Sequence, residues 1–442
     1  MKISYMSLGC KVNLYESVAI INDFVQNGFE LSEFDSICDV YLINTCTVTQ
    51  TSDSKSKKMI RQAIKRNKDA IICVMGCFSQ LNSQEVSKIE GVNIICGTSN
   101  RNKILPTVLK MIETKDYNLV NLTQSYDEIC EYEDIHLDHY DNKTRGFVKI
   151  QDGCENFCSY CAIPYSRGRF RSRDFTSIIK EIKQLSDRNM KEIVLTGINT
   201  GAYGKDINLS LADLLEEIVK NVPNLGRLRI SSIETTEITP QLLTTIKNHQ
   251  EHFCMHLHIP IQGASDEILK KMHRKYDLKY YSDKISLIRS YFPLINITAD
   301  IMVGFNGESD ELFEQGYEFI KKMKYGETHI FPYSPRPNTL AYNESKKIKF
   351  KDSISSLKKK VRVNELLTLN ELNALEYRNK FLGTTLEVII EKIDNGIAFG
   401  HSSNYLEVKF KANNAKENDL VNVLITKVGY PISEGVLENV NK

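Results

Sequence analysis

At 442 residues and 50.6 kDa the chain exceeds one ordinary domain, and about 150 residues per domain suggests three. Its 41% apolar and 26% charged content excludes wholesale disorder and collagen-like fibres. With 57 basic and 56 acidic residues the formal charge is +1, which excludes a uniformly basic nucleic-acid coat but leaves room for a local basic face.

Residues 1–114 alternate short apolar runs with amphipathic segments. The runs at 3–8, 39–45, 70–76 and 92–97 read as buried parallel strands, and 15–27, 52–67 and 79–89 carry helical spacing between them. This is the pattern of a doubly wound parallel α/β domain. Residues 115–140 interrupt it, and 126–141, with seven acids and no base, reads as a solvated connector.

Alternation resumes at Gly146, with strands expected near 147–151, 192–196, 226–231, 255–259, 295–301 and 327–332. Helices are expected at 174–189, 209–221, 239–248, 277–291 and 309–322. Six βα units predict a partial (βα)6 barrel whose chemistry sits at the C-terminal ends of its strands. Residues 352–380 read as one long helical connector. Beyond it LEVIIEKI, LEVKFKA and LVNVLITKV, with turn signals at Asp394-Asn395-Gly396 and Asn413-Asn414, predict a small β-barrel.

No run of eighteen apolar residues predicts a membrane span, and MKISYMSLGCKVN lacks the apolar core of a signal peptide. A cytoplasmic protein is therefore expected. The eleven cysteines are then thiols, candidates for metal ligation or reactivity rather than a disulfide scaffold.

Cys154, Cys158 and Cys161 form a C-x3-C-x2-C run in GCENFCSYC, directly after the first strand of the middle domain. Three thiolates bind three irons of a 4Fe–4S cluster and leave the fourth iron open to a small molecule. The same spacing also fits a helix stripe, but Gly153 before it and Pro164 after it favour a loop. Structural zinc usually takes four protein ligands, which makes it the weaker metal reading.

Cys10, Cys46 and Cys77 each fall just past a predicted strand, in SLGC, INTC and VMGC. The carboxyl ends of parallel strands line one crevice, so these three thiols are expected to converge. They read either as a second metal centre or as buried structural thiols. Cys38, Cys73, Cys96, Cys130 and Cys254 have no such placement and read as structural. His249, His252, Cys254, His256 and His258 crowd together, but an inward strand face commonly carries substrate-binding groups, so no metal is assigned there.

The motifs SLGCKVNLYES (7–17), INTCTVTQTSDSKSKKMIR (43–61), VMGC (74–77) and QDGCENFCSYCAIPYSRGRFRSR (151–173) resemble those of the radical S-adenosylmethionine (SAM) methylthiotransferases. LTGINTGAYG (195–204), HLHIPIQ (256–262) and YSPRPNT (333–339) extend the resemblance, and GHSSNYLEV (400–408) resembles the RNA-binding TRAM domain. Within the family the chain is most similar to the bacterial branch that acts on N6-threonylcarbamoyladenosine in tRNA. It departs from the family pattern at Gln262-Gly263-Ala264-Ser265, usually Gln-Ser-Gly-Ser, and at Asn338, usually Gly.

The resemblance implies an N-terminal methylthiotransferase domain over 1–114, a radical SAM core over 140–372 and a TRAM domain over 373–440. It implies methylthiolation at C2 of N6-threonylcarbamoyladenosine at position 37 of tRNA. The cofactors would be SAM and two 4Fe–4S clusters, one on Cys154, Cys158 and Cys161 and one on Cys10, Cys46 and Cys77. Because the C2–H bond is unactivated, a SAM-derived radical would remove the hydrogen, and the second cluster would carry the sulfur. A reducing electron donor is also required. Tyr160, Gly197, Asn199, Ser231, Gln262 and Asp300 are the candidates for holding SAM.

The threonyl group carries a carboxylate, which an arginine fork matches, and Arg169 or Arg171 in SRGRFRSR is the candidate reader. Two basic segments, 54–68 and 346–362, read either as RNA contacts or as solvated faces. Sister enzymes acting on isopentenyladenosine in tRNA, or on an aspartate of a ribosomal protein, are the nearest alternatives. A metal-stabilised RNA-binding protein without catalysis is the reading from another class.

Overall fold

The computed structural model describes residues 1–135, 144–347 and 354–438. Six parallel strands form the first sheet, in the order Glu30–Leu31, Lys2–Ser7, Val40–Thr45, Ile71–Gly76, Ile94–Ile95 and Val120–Asn121. Val40–Thr45 and Ile71–Gly76 are buried on both faces, which is why they read as continuous apolar runs. Winding direction reverses between Lys2–Ser7 and Val40–Thr45, and ligands bind at the crevice such a reversal opens.

Helices Lys11–Gln26 and Gln50–Arg66 lie close to the expected positions. The single helix expected over 79–89 is instead two short ones, Cys77–Leu81 and Ser83–Val86, separated at Asn82 (φ −129°, ψ 36°). Helix Ile104–Thr114 and the edge strand Val120–Asn121 were not anticipated, so the sheet extends past residue 114.

Nor is 115–135 a solvated connector. Glu133 pairs with buried Arg101 at 2.8 Å, and Asp134 pairs with buried Arg173 at 2.8 Å. Tyr15 Oη donates to the Ile135 carbonyl at 2.9 Å. Counting charge along the chain cannot see that these acids meet arginines from distant segments. The remainder of that stretch, 136–143, lies outside the described residues.

Strands Arg145–Lys149, Glu192–Thr196 and Arg227–Ile230 form one parallel sheet, and His256–His258, Asn296–Val303 and Glu327–Pro332 form another. Bridges Leu228↔Phe253 and Ser232↔His258 join the sheets into an arc of six strands in chain order. The largest apolar core fills the space between this arc and its helices.

Helix Ser356–Asn379 is more than a connector. Its Leu366 and Leu369 enter that core, and Asn370 Oδ1 accepts from the Thr328 amide at 2.7 Å.

Strands Thr385–Asp394, Ile397–Ser402, Glu407–Lys411, Leu420–Lys427 and Ile432–Leu437 close into a small barrel with its own core. This barrel packs against the N-terminal ends of the arc's strands. Arg227 and Arg229 donate to the carbonyls of His401 (3.0 Å) and Ser403 (3.2 Å), and Asn296 donates to Asn404 (2.8 Å). Tyr405 stacks on His256 at 4.8 Å, with Arg145 and Arg229 over its ring. Among the described residues no helix is long and apolar enough to cross a membrane.

Candidate active site

Cys10, Cys46 and Cys77 emerge at the C-terminal ends of three adjacent strands of the first sheet. Their turns need glycine. Gly76 sits at φ 102°, where a Cβ would lie 2.3 Å from Asn44 Oδ1. At Gly9 (φ 100°) a Cβ would meet Cys46 Sγ at 2.9 Å. Asn13, on the helix following Cys10, donates to the carbonyls of Leu8 (2.8 Å) and Thr45 (3.1 Å), tying two of the turns together. The thiols also feel one another, since Cys77 disfavours ionisation of both Cys10 and Cys46. Burial raises the Cys46 thiol; packed protein likewise raises Cys10 against the pull of Arg167, although one side of Cys10 stays open.

Cys154, Cys158 and Cys161 lie in a loop between strand Gln151–Asp152 and helix Ile163–Arg167, not on a helix. All three are half-buried. Gly153 turns the chain into this loop at φ 75°, with its Cα so close to the Arg169 carbonyl that a Cβ would lie 1.7 Å from that oxygen. Burial pushes the Cys154 thiol up to about 12, with Cys158 adding to the effect, and raises Cys161 as well. Clustered, desolvated thiols of this kind become thiolates only against a strong cation, which is the chemistry of a metal centre.

An arginine meets each set. Arg274 donates to Cys158 Sγ at 3.5 Å and is held by Glu234 at 2.6 Å. Arg167 Nε lies 3.4 Å from Cys77 Sγ. Its remaining nitrogens bind Glu16 (2.6 Å), Asp152 (3.1 Å) and Asn13 (2.7 Å), and its side chain is fully buried. Lys149 and Arg101 complete this network around Glu16 and Asp152. Burial alone would raise the Glu16 carboxyl, but Arg101, Arg167 and Lys149 outweigh it and bring it down to about 2. The network joins the short helix Ile163–Arg167, after the second cysteine set, to the helix after Cys10. Sequence reasoning missed it, because Glu16, Arg101, Asp152 and Arg167 share no local pattern.

Of the candidates for holding SAM, Gly197, Asn199, Ser231 and Gln262 lie just beyond strands of the arc, and Tyr160 lies in the cysteine loop. Asp300, expected at a strand end, lies inside strand Asn296–Val303, which runs further than its apolar pattern suggested. Asn199 is 4% exposed, yet neither its Oδ1 nor its Nδ2 has a hydrogen-bond partner. A buried unmet amide costs about 1–3 kcal/mol, so this one fits a polar ligand. Ser231 is buried and shares a 2.9 Å hydrogen bond with Thr200. Gly197 packs tightly on Gln151, where a Cβ would come within 3.0 Å of Oε1. Gln262 adopts φ 67° and pairs through its backbone with Asp300 and Met302. Tyr160 sits beside Phe305 at 6.2 Å and accepts from Arg274 at 3.4 Å.

Asp300 lies 3.3 Å from His258, and with His329 their ligating atoms fall within 4.8 Å of one another. Thr298 Oγ1 bridges His258 and His256 at 2.9 Å each. The crowded histidines thus separate: His256 and His258 face the arc's neighbouring strand, while His249 pairs with Glu216 at 2.9 Å.

The two arginines expected at the substrate behave differently. Arg171 is 4% exposed, faces Asp152 at 3.6 Å and donates to the Arg167 (2.7 Å) and Arg169 (3.0 Å) carbonyls, so it is not available to a substrate. Arg169 is exposed. Of the basic segments, helix Gln50–Arg66 shows Lys55, Lys58, Arg61 and Lys65 to solvent. In the other, 348–353 lies outside the described residues, and Lys359 and Arg362 are buried, Arg362 against Glu308 at 2.7 Å. Of the five cysteines read as structural, Cys130 is exposed and the other four are buried.

Residues 2–97 match the family described as Uncharacterized protein family UPF0004, and 148–320 match the Radical SAM superfamily. The threonylcarbamoyladenosine tRNA methylthiotransferase MtaB of Bacillus subtilis is 39% identical, covering 98% of this chain and 95% of its own. MtaB of Aquifex aeolicus is 33% identical over 96% of this chain and all (100%) of its own. The tRNA-2-methylthio-N(6)-dimethylallyladenosine synthase of Carboxydothermus hydrogenoformans is 32% identical, covering 97% of each chain. Among solved structures, the radical SAM methyltransferase TsrM of Kitasatospora setae superposes with a TM-score of 0.59 at 15% identity, covering 78% of this chain and 77% of its own. That likeness is one of fold.

Proposed function

The chain belongs to the radical SAM tRNA methylthiotransferase family, and from that premise we propose that it methylthiolates C2 of N6-threonylcarbamoyladenosine at position 37 of tRNA. Two separate sets of three thiols, linked through one buried charge network, carry this reading. A binding module stabilised by metal has no need of two such sets. The layout we assign is an N-terminal methylthiotransferase domain, a radical SAM core and a C-terminal TRAM barrel that contacts RNA, acting in the cytoplasm with an external electron donor.

Cys154, Cys158 and Cys161 would hold one 4Fe–4S cluster with an open iron for SAM, and Cys10, Cys46 and Cys77 the other. When bound, SAM and the clusters supply the radical that opens the C2–H bond and the sulfur that replaces the hydrogen. The protein's own groups position them. Arg274 and Arg167 hydrogen-bond ligand sulfurs, which orients the thiolates and offsets their charge. Asn199 offers its unmet amide to SAM, Tyr160 an apolar ring face, and Ser231, Gln262 and Gly197 follow the same strand ends, with Asp300 inside strand Asn296–Val303. Arg169 and the exposed lysines of helix Gln50–Arg66 give RNA phosphates a path toward the site.

Mass spectrometry of tRNA nucleosides tests the substrate. In a strain lacking this activity, expressing the chain should produce 2-methylthio-N6-threonylcarbamoyladenosine. Production of the methylthio-isopentenyl nucleoside instead would reassign the substrate to the sister branch.

A further inference from the structure

Phe157, in the loop between Cys154 and Cys158, adopts φ 47°, a left-handed conformation that a bulky residue rarely takes. Its ring meets Tyr165 edge-on at 5.8 Å, and both half-buried rings lie outside every apolar core of the described residues. The turn 270–275, KKMHRK, is seated on the same loop. Ser159 donates through its amide to the Met272 carbonyl (3.0 Å) and through Oγ to the Lys271 carbonyl (2.7 Å). Lys275 Nζ donates to Asn156 Oδ1 at 3.2 Å. His273, at φ 56°, reverses the chain, so that Arg274 reaches inward to Cys158 Sγ at 3.5 Å while Lys270, Lys271, His273 and Lys275 stay exposed. No acid lies between 268 and 276. Lys271 pairs with Glu267 at 2.6 Å, and Glu155, the acid of the cysteine loop, accepts from the Phe170 amide at 3.4 Å. Lys270 and Lys275 have no acidic partner among the described residues.

We infer that the cysteine loop and this turn form one docking face for an unpaired stretch of RNA: Phe157 and Tyr165 receive a base next to the target nucleotide, and Lys270 and Lys275 hold the phosphates beside it. This deepens the proposed tRNA reaction and rests on it. A base that enters the site must leave the stack of its own loop, so the nucleotides beside it lose a neighbour. An aromatic face replaces that neighbour whatever the base, and cations alongside take up the backbone. Because Cys154, Cys158 and Cys161 would hold the cluster that binds SAM, the loop carrying them lies beside the reacting base. A purely structural role does not need phenylalanine here. Glycine takes the same φ without strain, and the ring contributes to no core.

The test measures binding of a labelled anticodon stem-loop RNA to the cluster-loaded protein by fluorescence anisotropy at several salt concentrations, beside a fully paired RNA duplex. Phe157→Gly removes the ring and relieves the backbone strain, so melting temperature and iron content should be kept while affinity for the stem-loop falls about tenfold. Its affinity for the duplex, which offers no unpaired base, should not change, and Phe157→Tyr should bind the stem-loop as the wild type does. Phe157→Asn, which also tolerates this φ, repeats the measurement if glycine loosens the loop and lowers the iron content. Lys270→Ala and Lys275→Ala should each weaken stem-loop binding and lower its salt slope by about 0.7, which Phe157→Gly leaves unaltered. Unchanged stem-loop affinity on loss of the ring, or equal weakening of stem-loop and duplex, would overturn the inference. Lysine variants that bind RNA as the wild type does would also overturn it and leave the basic turn to an acidic protein partner. A wild type that binds no anticodon stem-loop would overturn the proposed reaction instead.

Discussion

Single residues separate the chemistry of the two cysteine sets. Cys158→Ala leaves two thiolates for its cluster, so reductive cleavage of SAM should be abolished. Cys46→Ala should leave 5′-deoxyadenosine formation measurable while stopping methylthiolation, a split read by assaying both products in one reaction. Equal loss of both would mean that the sets do not act separately. Arg167 sits between them, with Nε on Cys77 Sγ and the rest of its guanidinium on Glu16, Asp152 and Asn13. Arg167→Gln removes one of several cations around Glu16 and Asp152, which Lys149 and Arg101 still pair, and leaves Cys77 Sγ without its arginine. The expected outcome is a clear drop in melting temperature together with an altered electron paramagnetic resonance signal from the Cys10, Cys46 and Cys77 cluster. Asn199→Ala removes an amide with no protein partner. It should therefore weaken SAM binding about tenfold in equilibrium dialysis without lowering stability.

At the scale of elements, one glycine decides whether the C-x3-C-x2-C run forms its loop. Gly153 lies in the left-handed region and against the Arg169 carbonyl, so Gly153→Ala adds both backbone strain and a clash. The purified variant should keep the Cys10, Cys46 and Cys77 cluster and lose the other, as read by iron content and visible absorbance. Glycine and proline around the cysteines made this loop legible from the sequence. In the described part of the 126–141 connector the solvated expectation fails at Glu133 and Asp134 for the opposite reason: these acids are local, but their partners Arg101 and Arg173 come from elsewhere in the chain.

For the whole molecule, the C-terminal barrel is part of the core's stability as well as a module at its end. Glu192 is fully buried among Arg145, Arg227 and Arg229, and the last two also bind carbonyls of that barrel. Burial pushes the Glu192 carboxyl up, but the three arginines bring it from 4.5 down to about 2. A depressed carboxylate stabilises the fold above its unfolded value and loses that effect as pH falls through its folded value. Here about 3 kcal/mol, complete above pH 4.5, should disappear as pH falls toward 2. Urea unfolding of wild type and Glu192→Gln checks this. The variant should be less stable at neutral pH, and its stability should fall less steeply on acidification below about pH 4.5. Ending the chain at Lys380 should lower the melting temperature as well as RNA affinity, because Arg227 and Arg229 then lose acceptors they cannot replace.

The sequence by itself determined most of the alternation of strands and helices, the barrel at the end and where both sets of cysteines fall in that pattern, because these rest on local periodicity, turn residues and spacing; helix Ile104–Thr114 and strand Val120–Asn121 escaped it. It also put Cys10, Cys46 and Cys77 at strand ends, which parallel topology turns into proximity. Only the tertiary structure decided which polar groups are spent and which are free. Arg171 and Arg336 look alike in sequence, each an arginine in a polar loop beside a cysteine region. Arg171 spends Nη1 and Nη2 on three backbone carbonyls and Asp152 and keeps only Nε unmet, while Arg336 bonds Thr47 and Asp53 through Nη2 alone and keeps Nε and Nη1 unmet. That difference comes from contacts between segments far apart in the chain, so no local pattern of residues records it.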